Sequence, residues 1–191
     1  MIYAILTVAS WFLFIVFWVV NALKAKKDTI RQGSWLPGLV VRVAIVAAVV
    51  FLVRVPGGRH LLQESRALFS YSSPTFGIAG ATLCVIGVAT AVWARACLGT
   101  NWSSRPSVKA DHALITSGPY HLIRHPIYTG ILLAALGTAI DAGIIGLVIF
   151  LGVAVVLIRR IPVEEKLMMG LFEEQYSLYK RRTKALIPFI V

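Results

Sequence analysis

Charge is what this sequence is short of. Only 14% of its 191 residues are charged and 58% are hydrophobic, whereas a soluble domain carries about a quarter charged residues. That shortfall argues against an ordinary water-soluble globule and makes a bilayer the expected solvent. Cysteine is scarcer still: Cys84 and Cys97 lie in one apolar segment, too few for a disulfide framework or a zinc site, and read as packing residues. Acidic residues number 8 against 19 Lys and Arg, a net charge of +11. Such an excess can mean nucleic acid, but here the basic residues flank apolar runs instead of lining a face interleaved with aromatics. Anionic lipid head groups and the positive-inside bias explain them better, so no nucleic acid partner is expected. A glycine-rich phosphate loop, a metal-spaced His/Cys set and a nucleophile elbow are all missing. Kinase-like, zinc-hydrolase and serine-hydrolase readings therefore lack support, and no metal is expected.

What is there is a series of long apolar runs. Ile2 to Val20 carries no charge and, at about 1.5 Å per residue, covers a hydrocarbon core of roughly 30 Å. No basic residue precedes it and no small-residue cleavage pattern follows, so it reads as a span and not as a secretory leader. A second run extends from Trp35 to Val55, and a third from Pro74 to about Cys97. The segment Leu98 to Arg124 is polar. From Pro126 to Ile158 the chain is apolar again, interrupted by Asp141, Ala142 and Gly143. Aspartate at a bilayer centre is costly, so this break predicts the tip of a helical hairpin whose ends return to one side. Each arm is short for a full crossing, which suits a tilted or partly re-entrant pair.

The expected fold is all-α: a polytopic membrane protein of about five transmembrane helices, the last two a hairpin. Lys24, Lys26, Lys27 and Arg31 follow the first span, and Arg95, Arg105, Lys109 and Arg124 the third. Arg159, Arg160, Lys166, Lys180, Arg181, Arg182 and Lys184 follow the fifth, against Arg54, Arg59 and Arg66 on the other face. That asymmetry puts the N-terminus outside and the C-terminus in the cytoplasm. Arg42, inside the second span, is read as structural. After Pro162, which predicts a kink at Ile161 and a fresh helix start, residues 163–182 place Leu167, Met168, Leu171, Phe172, Tyr176 and Tyr179 three and four apart. This pattern predicts an amphipathic C-terminal helix against the membrane surface or capping the bundle. No repeat or linker is visible, so residues 1–191 read as one domain.

Polar chemistry gathers at the ends of the apolar runs. Pro126 suits the first position of a helix, with His125 at its cap and free N–H groups beside Arg124 able to meet an anion. The bland alternative is a pair of interfacial anchors. Arg160 and Glu164 are four apart, and Glu164 and Glu165 would fall in the first turn of the helix that Pro162 starts, where acids are stabilising in any case. The sharper reading is a Glu for an ammonium group and an Arg for a carboxylate. Gly118-Pro119 reads as a turn. His112 and Tyr120 could supply hydrogen bonds or an aromatic wall, or be loop residues.

Taken together, LGTNWS (Leu98 to Ser103), HALITSGPY (His112 to Tyr120), RHPIYTG (Arg124 to Gly130), RIPVEE (Arg160 to Glu165) and FEEQYSLYKRRTKALIPF (Phe172 to Phe189) resemble the isoprenylcysteine carboxyl methyltransferases and their integral-membrane relatives, including phospholipid N-methyltransferases. The resemblance covers about the C-terminal half; the first two spans carry no diagnostic residue. It implies S-adenosylmethionine as cofactor, with residues 1–97 supplying three spans and residues 98–191 the cofactor-binding catalytic half. His112, Leu114, Ile115, Tyr120, His125, Pro126, Tyr128 and Glu164 match positions that contact the cofactor. Arg160 matches the position that engages the methyl acceptor, and Arg160, Glu164 and His125 form the catalytic set. The implied partners are membrane lipid and a lipophilic methyl acceptor: an isoprenylcysteine-like carboxylate, or alternatively a phospholipid amine or a small thiol. An amine would have to lose a proton, with His125 or Glu165 as candidate bases. A sterol-reductase-like NADPH enzyme shares the His-Pro motif but tends to have additional basic and Cys-containing sequence after the last span, and Arg160 to Glu174 contains no Cys. A noncatalytic membrane protein is the remaining alternative.

Overall fold

The computed structural model of the chain describes residues 2–23, 28–31, 74–99, 107–109 and 114–188. The expected second span, Arg42, His112 and the polar stretch around Trp102 and Arg105 lie outside these residues. Three long helices dominate: α1 (Ile2–Leu23), α2 (Pro74–Leu98) and α3 (Pro126–Arg182). The protein is mostly helical, not purely so. Two short strands, β1 (Asp28–Arg31) and β2 (Ser107–Lys109), pair antiparallel, with Asp28 opposite Lys109 and Arg31 opposite Ser107.

Within α3 the dihedrals leave helical space at Gly143 (φ 70°, ψ −150°) and at Glu173 (φ 36°, ψ −107°). The first break falls at the expected hairpin tip, where glycine reaches positive φ without a Cβ penalty. The two arms meet closely there: a Cβ on Gly146 would lie 2.7 Å from the Ala139 Cα. The second break corrects an expectation. Pro162 sits inside the helix and neither it nor Ile161 departs from helical geometry; the interruption comes at Glu173. Proline in a helix interior costs about 3 kcal/mol, and the ion pairs of Glu164 and Glu165 hold this turn in helical register against that cost. Those acids therefore lie within a continuous helix, and the first-turn dipole explanation for them falls away.

α2 packs antiparallel to the first arm of α3 along glycines. A Cβ on Gly87 would sit 2.5 Å from the Gly130 carbonyl oxygen, one on Gly130 2.6 Å from the Ala91 nitrogen, and one on Gly80 2.7 Å from the Gly137 oxygen. Backbone meets backbone, as small residues allow in membranes where packing drives helix association. Cys84, Val88 and Ala134 form one buried cluster and Ala94, Tyr120 and Ile127 a second, nearer the polar end. α1 lays an aromatic ladder, Trp11, Phe14 and Trp18, against both, and Trp11 donates to Thr138 of α3 at 3.0 Å. Near its other end, the Asn21 carbonyl accepts from Arg95 of α2. Tyr3 meets Gly77, so α1 and α2 run parallel and the chain ends at residues 23 and 74 lie on opposite sides.

The outward faces are apolar: Val8 is 69% exposed, Phe12 64% and Val148 64%. Apolar surface on this scale is stable only under lipid. Among the described residues three stretches are long and apolar enough to cross a membrane, Ile2–Asn21, Pro74–Leu98 and Ala142–Arg182, while Pro126–Ile140 is shorter. The chain is an integral membrane protein. The 41 residues of Ala142–Arg182 measure about 60 Å at 1.5 Å per residue, twice the hydrocarbon core. The charge-free part ends at Ile158, and the helix from Arg159 onward emerges from the membrane.

Candidate active site

At the polar end of the bundle, the start of α3 faces its own later turns. Pro126 opens the helix and is fully buried, with His125 as the residue before it, making no side-chain cap bond. His125 and Tyr128, three apart on the first turn, stack with ring centroids 5.4 Å apart and planes at 12°. Because the hairpin returns, Arg160, Glu164 and Glu165 come down beside them. The Tyr128 hydroxyl donates to Glu164 Oε1, as does Arg160 Nη2 at 2.9 Å. The Arg160 guanidinium lies 6.0 Å from the Tyr128 ring centroid. His125 Nδ1 is 3.7 Å from Glu164 Oε2, and its Nε2 is 3.6 Å from Glu165 Oε1.

The two adjacent acids are differently placed. The Glu164 side chain is 21% exposed and Arg160 33%, so an incoming molecule can reach both. Glu165 is 8% exposed and saturated: Arg124 Nε donates to Oε1 at 2.6 Å and Lys180 Nζ meets Oε2 at 2.6 Å. Burial alone would raise its carboxyl pKa; His125, Lys180 and Arg124 together outweigh that and hold it well below the usual carboxylate range. Arg124 also donates to the carbonyls of Thr183 and Lys180. The positive charge expected beside the helix start is thus present but committed to the protein's own Glu165 and carbonyls.

Tyr120 closes the site from below. Gly118–His121 forms a 3-10 turn entered by Gly118 at φ +60°, which leaves Tyr120 6% exposed against Ala94 and Ile127. Burial pushes its phenol far above the ordinary range, so it stays un-ionised. Ile115 packs on the same cluster and Leu114 is half-buried nearby in sequence. Of the residues named from the sequence, the structure gathers Arg160, Glu164, His125, Tyr128 and Pro126 at one place, with Tyr120 and Ile115 on the adjoining cluster; His112 is outside the described residues. Sequence reasoning missed the Tyr128–Glu164 bond and the Arg124–Glu165–Lys180 cluster. The signal available was the Glu164-Glu165 pair itself, since neighbours on a helix point about 100° apart and require separate partners. Among the described residues no three His, Cys, Asp or Glu side chains are grouped to hold a metal.

A family model described as the isoprenylcysteine carboxyl methyltransferase (ICMT) family matches residues 80–170, just under half of the chain, which include most of α2, the turn, the hairpin and both acids. Through that stretch the chain is similar to the isoprenylcysteine carboxyl methyltransferase family. It is 35% identical over 129 residues to a protein-S-isoprenylcysteine O-methyltransferase of Saccharomyces cerevisiae, covering 64% of this chain and 54% of that one. With protein-S-isoprenylcysteine O-methyltransferase B of Arabidopsis thaliana it shares 35% identity over 83 residues, 41% of each chain. It is also 30% identical over 133 residues to the cobalt-zinc-cadmium resistance protein CzcN of Cupriavidus metallidurans, 67% of this chain and 56% of that one. The chain thus spans about half the length of the curated relatives it matches. A solved structure titled as the eukaryotic intramembrane Ras methyltransferase ICMT shares the fold at a TM-score of 0.58 and 23% identity, over 85% of this chain and 55% of that one.

Proposed function

We propose that the protein is a membrane-embedded methyltransferase that uses S-adenosylmethionine to methylate a lipophilic acceptor, most naturally the carboxylate of an isoprenylcysteine-like molecule. The observation that carries this reading is the convergence on Glu164 of His125, Tyr128 and Arg160, brought from two distant parts of the chain to the end of apolar helices. These residues suit the cofactor. Glu164 offers a reachable carboxylate to an ammonium group, and His125 and Tyr128 present stacked ring faces. Tyr120, Ile115 and Leu114 supply the apolar side. Once bound, the cofactor supplies an electrophilic methyl group on a sulfonium.

The chain's own part is to position and to exclude water. Arg160, a third exposed beside Glu164, orients an acceptor carboxylate, and a carboxylate is already ionised at neutral pH, so no base is needed. Methyl transfer from a sulfonium to a carboxylate neutralises opposite charges, which a dry pocket beside lipid favours. An amine acceptor needs a base, and Glu165, one of the two candidates, has both oxygens committed to Arg124 and Lys180. That favours the carboxylate. By the charge asymmetry the site and C-terminus face the cytoplasm with the N-terminus outside. Residues 98–191 then form the catalytic half of a single domain, the amphipathic last helix capping the bundle.

Isothermal titration in detergent tests the reading: S-adenosylmethionine should bind, and Glu164→Ala should abolish or greatly weaken it. Affinity unchanged in the variant removes the site, and NADPH displacing the cofactor would point to reductase chemistry instead. Labelled-methyl transfer to prenyl-cysteine analogues and lipid extracts then identifies the acceptor; loss of transfer in Arg160→Ala with cofactor binding retained is the expected split.

A further inference from the structure

The residues after α3 do not trail away. Lys184 lies beside Ile123 in a parallel bridge, the Arg124 amide donates to the Lys184 carbonyl at 2.8 Å, and the His125 amide donates to the Ala185 carbonyl at 2.9 Å. The Thr129 hydroxyl donates to the Leu186 carbonyl at 2.7 Å. On the flank, the Tyr179 hydroxyl donates to the Tyr120 carbonyl at 2.6 Å. Arg124 closes the arrangement, its guanidinium bound to the Thr183 carbonyl and to Glu165, while Glu165 in turn holds Lys180 at the end of the helix. The residue without helical dihedrals in this last stretch, Glu173, sits where α3 bends ahead of it.

We infer that residues 183–186 are a strap, locked by the Arg124–Glu165–Lys180 ion cluster, that fixes where His125 stands in the cofactor site. This rests on the reading of His125 as a cofactor contact. Glu165, Arg124 and Lys180 are then positioning residues: their charges face one another and the strap, and they act on the ligand only through the His125 backbone and ring. The lock explains why the sequence needs two adjacent acids. Glu164 is left reachable for a ligand, and Glu165 is spent inward to hold the wall against which that ligand rests.

The test uses the full chain in nanodiscs with Glu165→Gln, Lys180→Gln and Lys180→Arg. Two quantities are read: S-adenosylmethionine affinity together with kcat at saturating cofactor, and hydrogen exchange at the Arg124 and His125 amides. One well-placed hydrogen bond is worth about tenfold in affinity, so both glutamine variants should weaken cofactor binding about tenfold. Both should also speed exchange at the two amides, with kcat falling much less than affinity. Lys180→Arg should restore each. Unchanged exchange and affinity in the glutamine variants overturns the strap, as does kcat falling with affinity intact, which would mean that Glu165 touches the reacting groups. Should Glu165→Gln fail to fold, the half-exposed Lys180 pair decides alone. If the unaltered protein binds no S-adenosylmethionine while exchange responds as described, the enzymatic reading fails and the strap stands.

Discussion

Replacing Gly87 by alanine should separate α2 from the first arm of α3, the helix that carries the site. The added carbon would fall 2.5 Å from the Gly130 carbonyl oxygen, against the roughly 3.5 Å at which nonbonded carbons pack best. The obstructing atoms, the Gly130 oxygen and the Ala134 nitrogen and Cα, are all backbone, so no rotamer change relieves the clash and α2 must move outward by about 1 Å. Overpacking costs about 1–3 kcal/mol, and a contact with no flexible atom belongs at the upper end. About 3 kcal/mol is a roughly hundredfold loss in the folded-to-unfolded ratio. Gly152 is the internal control, because a Cβ there meets nothing within 4 Å and Gly→Ala in a helix gains up to about 1 kcal/mol. Denaturant titration of both variants in bicelles should therefore move them in opposite directions. Two variants within about 0.5 kcal/mol of each other, the range of ordinary surface substitutions, would refute the backbone-contact argument.

Arg95, 1% exposed, donates to the Gly99 and Asn21 carbonyls; Arg95→Met should cost about 2 kcal/mol or more and loosen α1, seen as faster amide exchange over residues 2–21. Tyr128→Phe removes one hydrogen bond to an ionised carboxylate, a loss of about 1.5–3 kcal/mol. Titration should show S-adenosylmethionine binding weakened by about tenfold or more while the Arg160–Glu164 pair survives. Glu165 has its carboxyl pKa lowered by the folded state from an ordinary 4.5, so its stabilising contribution is complete above that value and is lost as pH falls toward the folded pKa. The stability gap between the wild type and Glu165→Gln should accordingly be constant near neutrality and narrow below pH 4.5; a gap that widens in acid would exclude the ion cluster as its source.

The hairpin tip was legible because Asp141-Ala142-Gly143 is a polar interruption of a greasy run, and Pro126 announced a helix start through its own ring geometry. Both are local signals. The position of the later bend was not legible. Pro162 carries the usual mark of a kink, yet tertiary ion pairs hold its turn, and the bend moves to Glu173, a residue with no breaker chemistry. The roles of the two acids were half readable. Their presence near Arg124-His125 suggested a site, but which acid faces a ligand depends on helix phase and on Arg124 and Lys180, partners supplied by other turns of the chain. The glycines at 80, 87, 130 and 137 carry no local pattern that names their contacts, since each matters only for what lies across the seam.

That seam limits how a greasy substrate can approach. Where one extra carbon does not fit between α2 and the first arm of α3, no methylene tail can slide through, so this flank is shut to lateral traffic from the lipid. Any prenyl or acyl chain whose head is to sit at Arg160 has to come in along another side of the bundle.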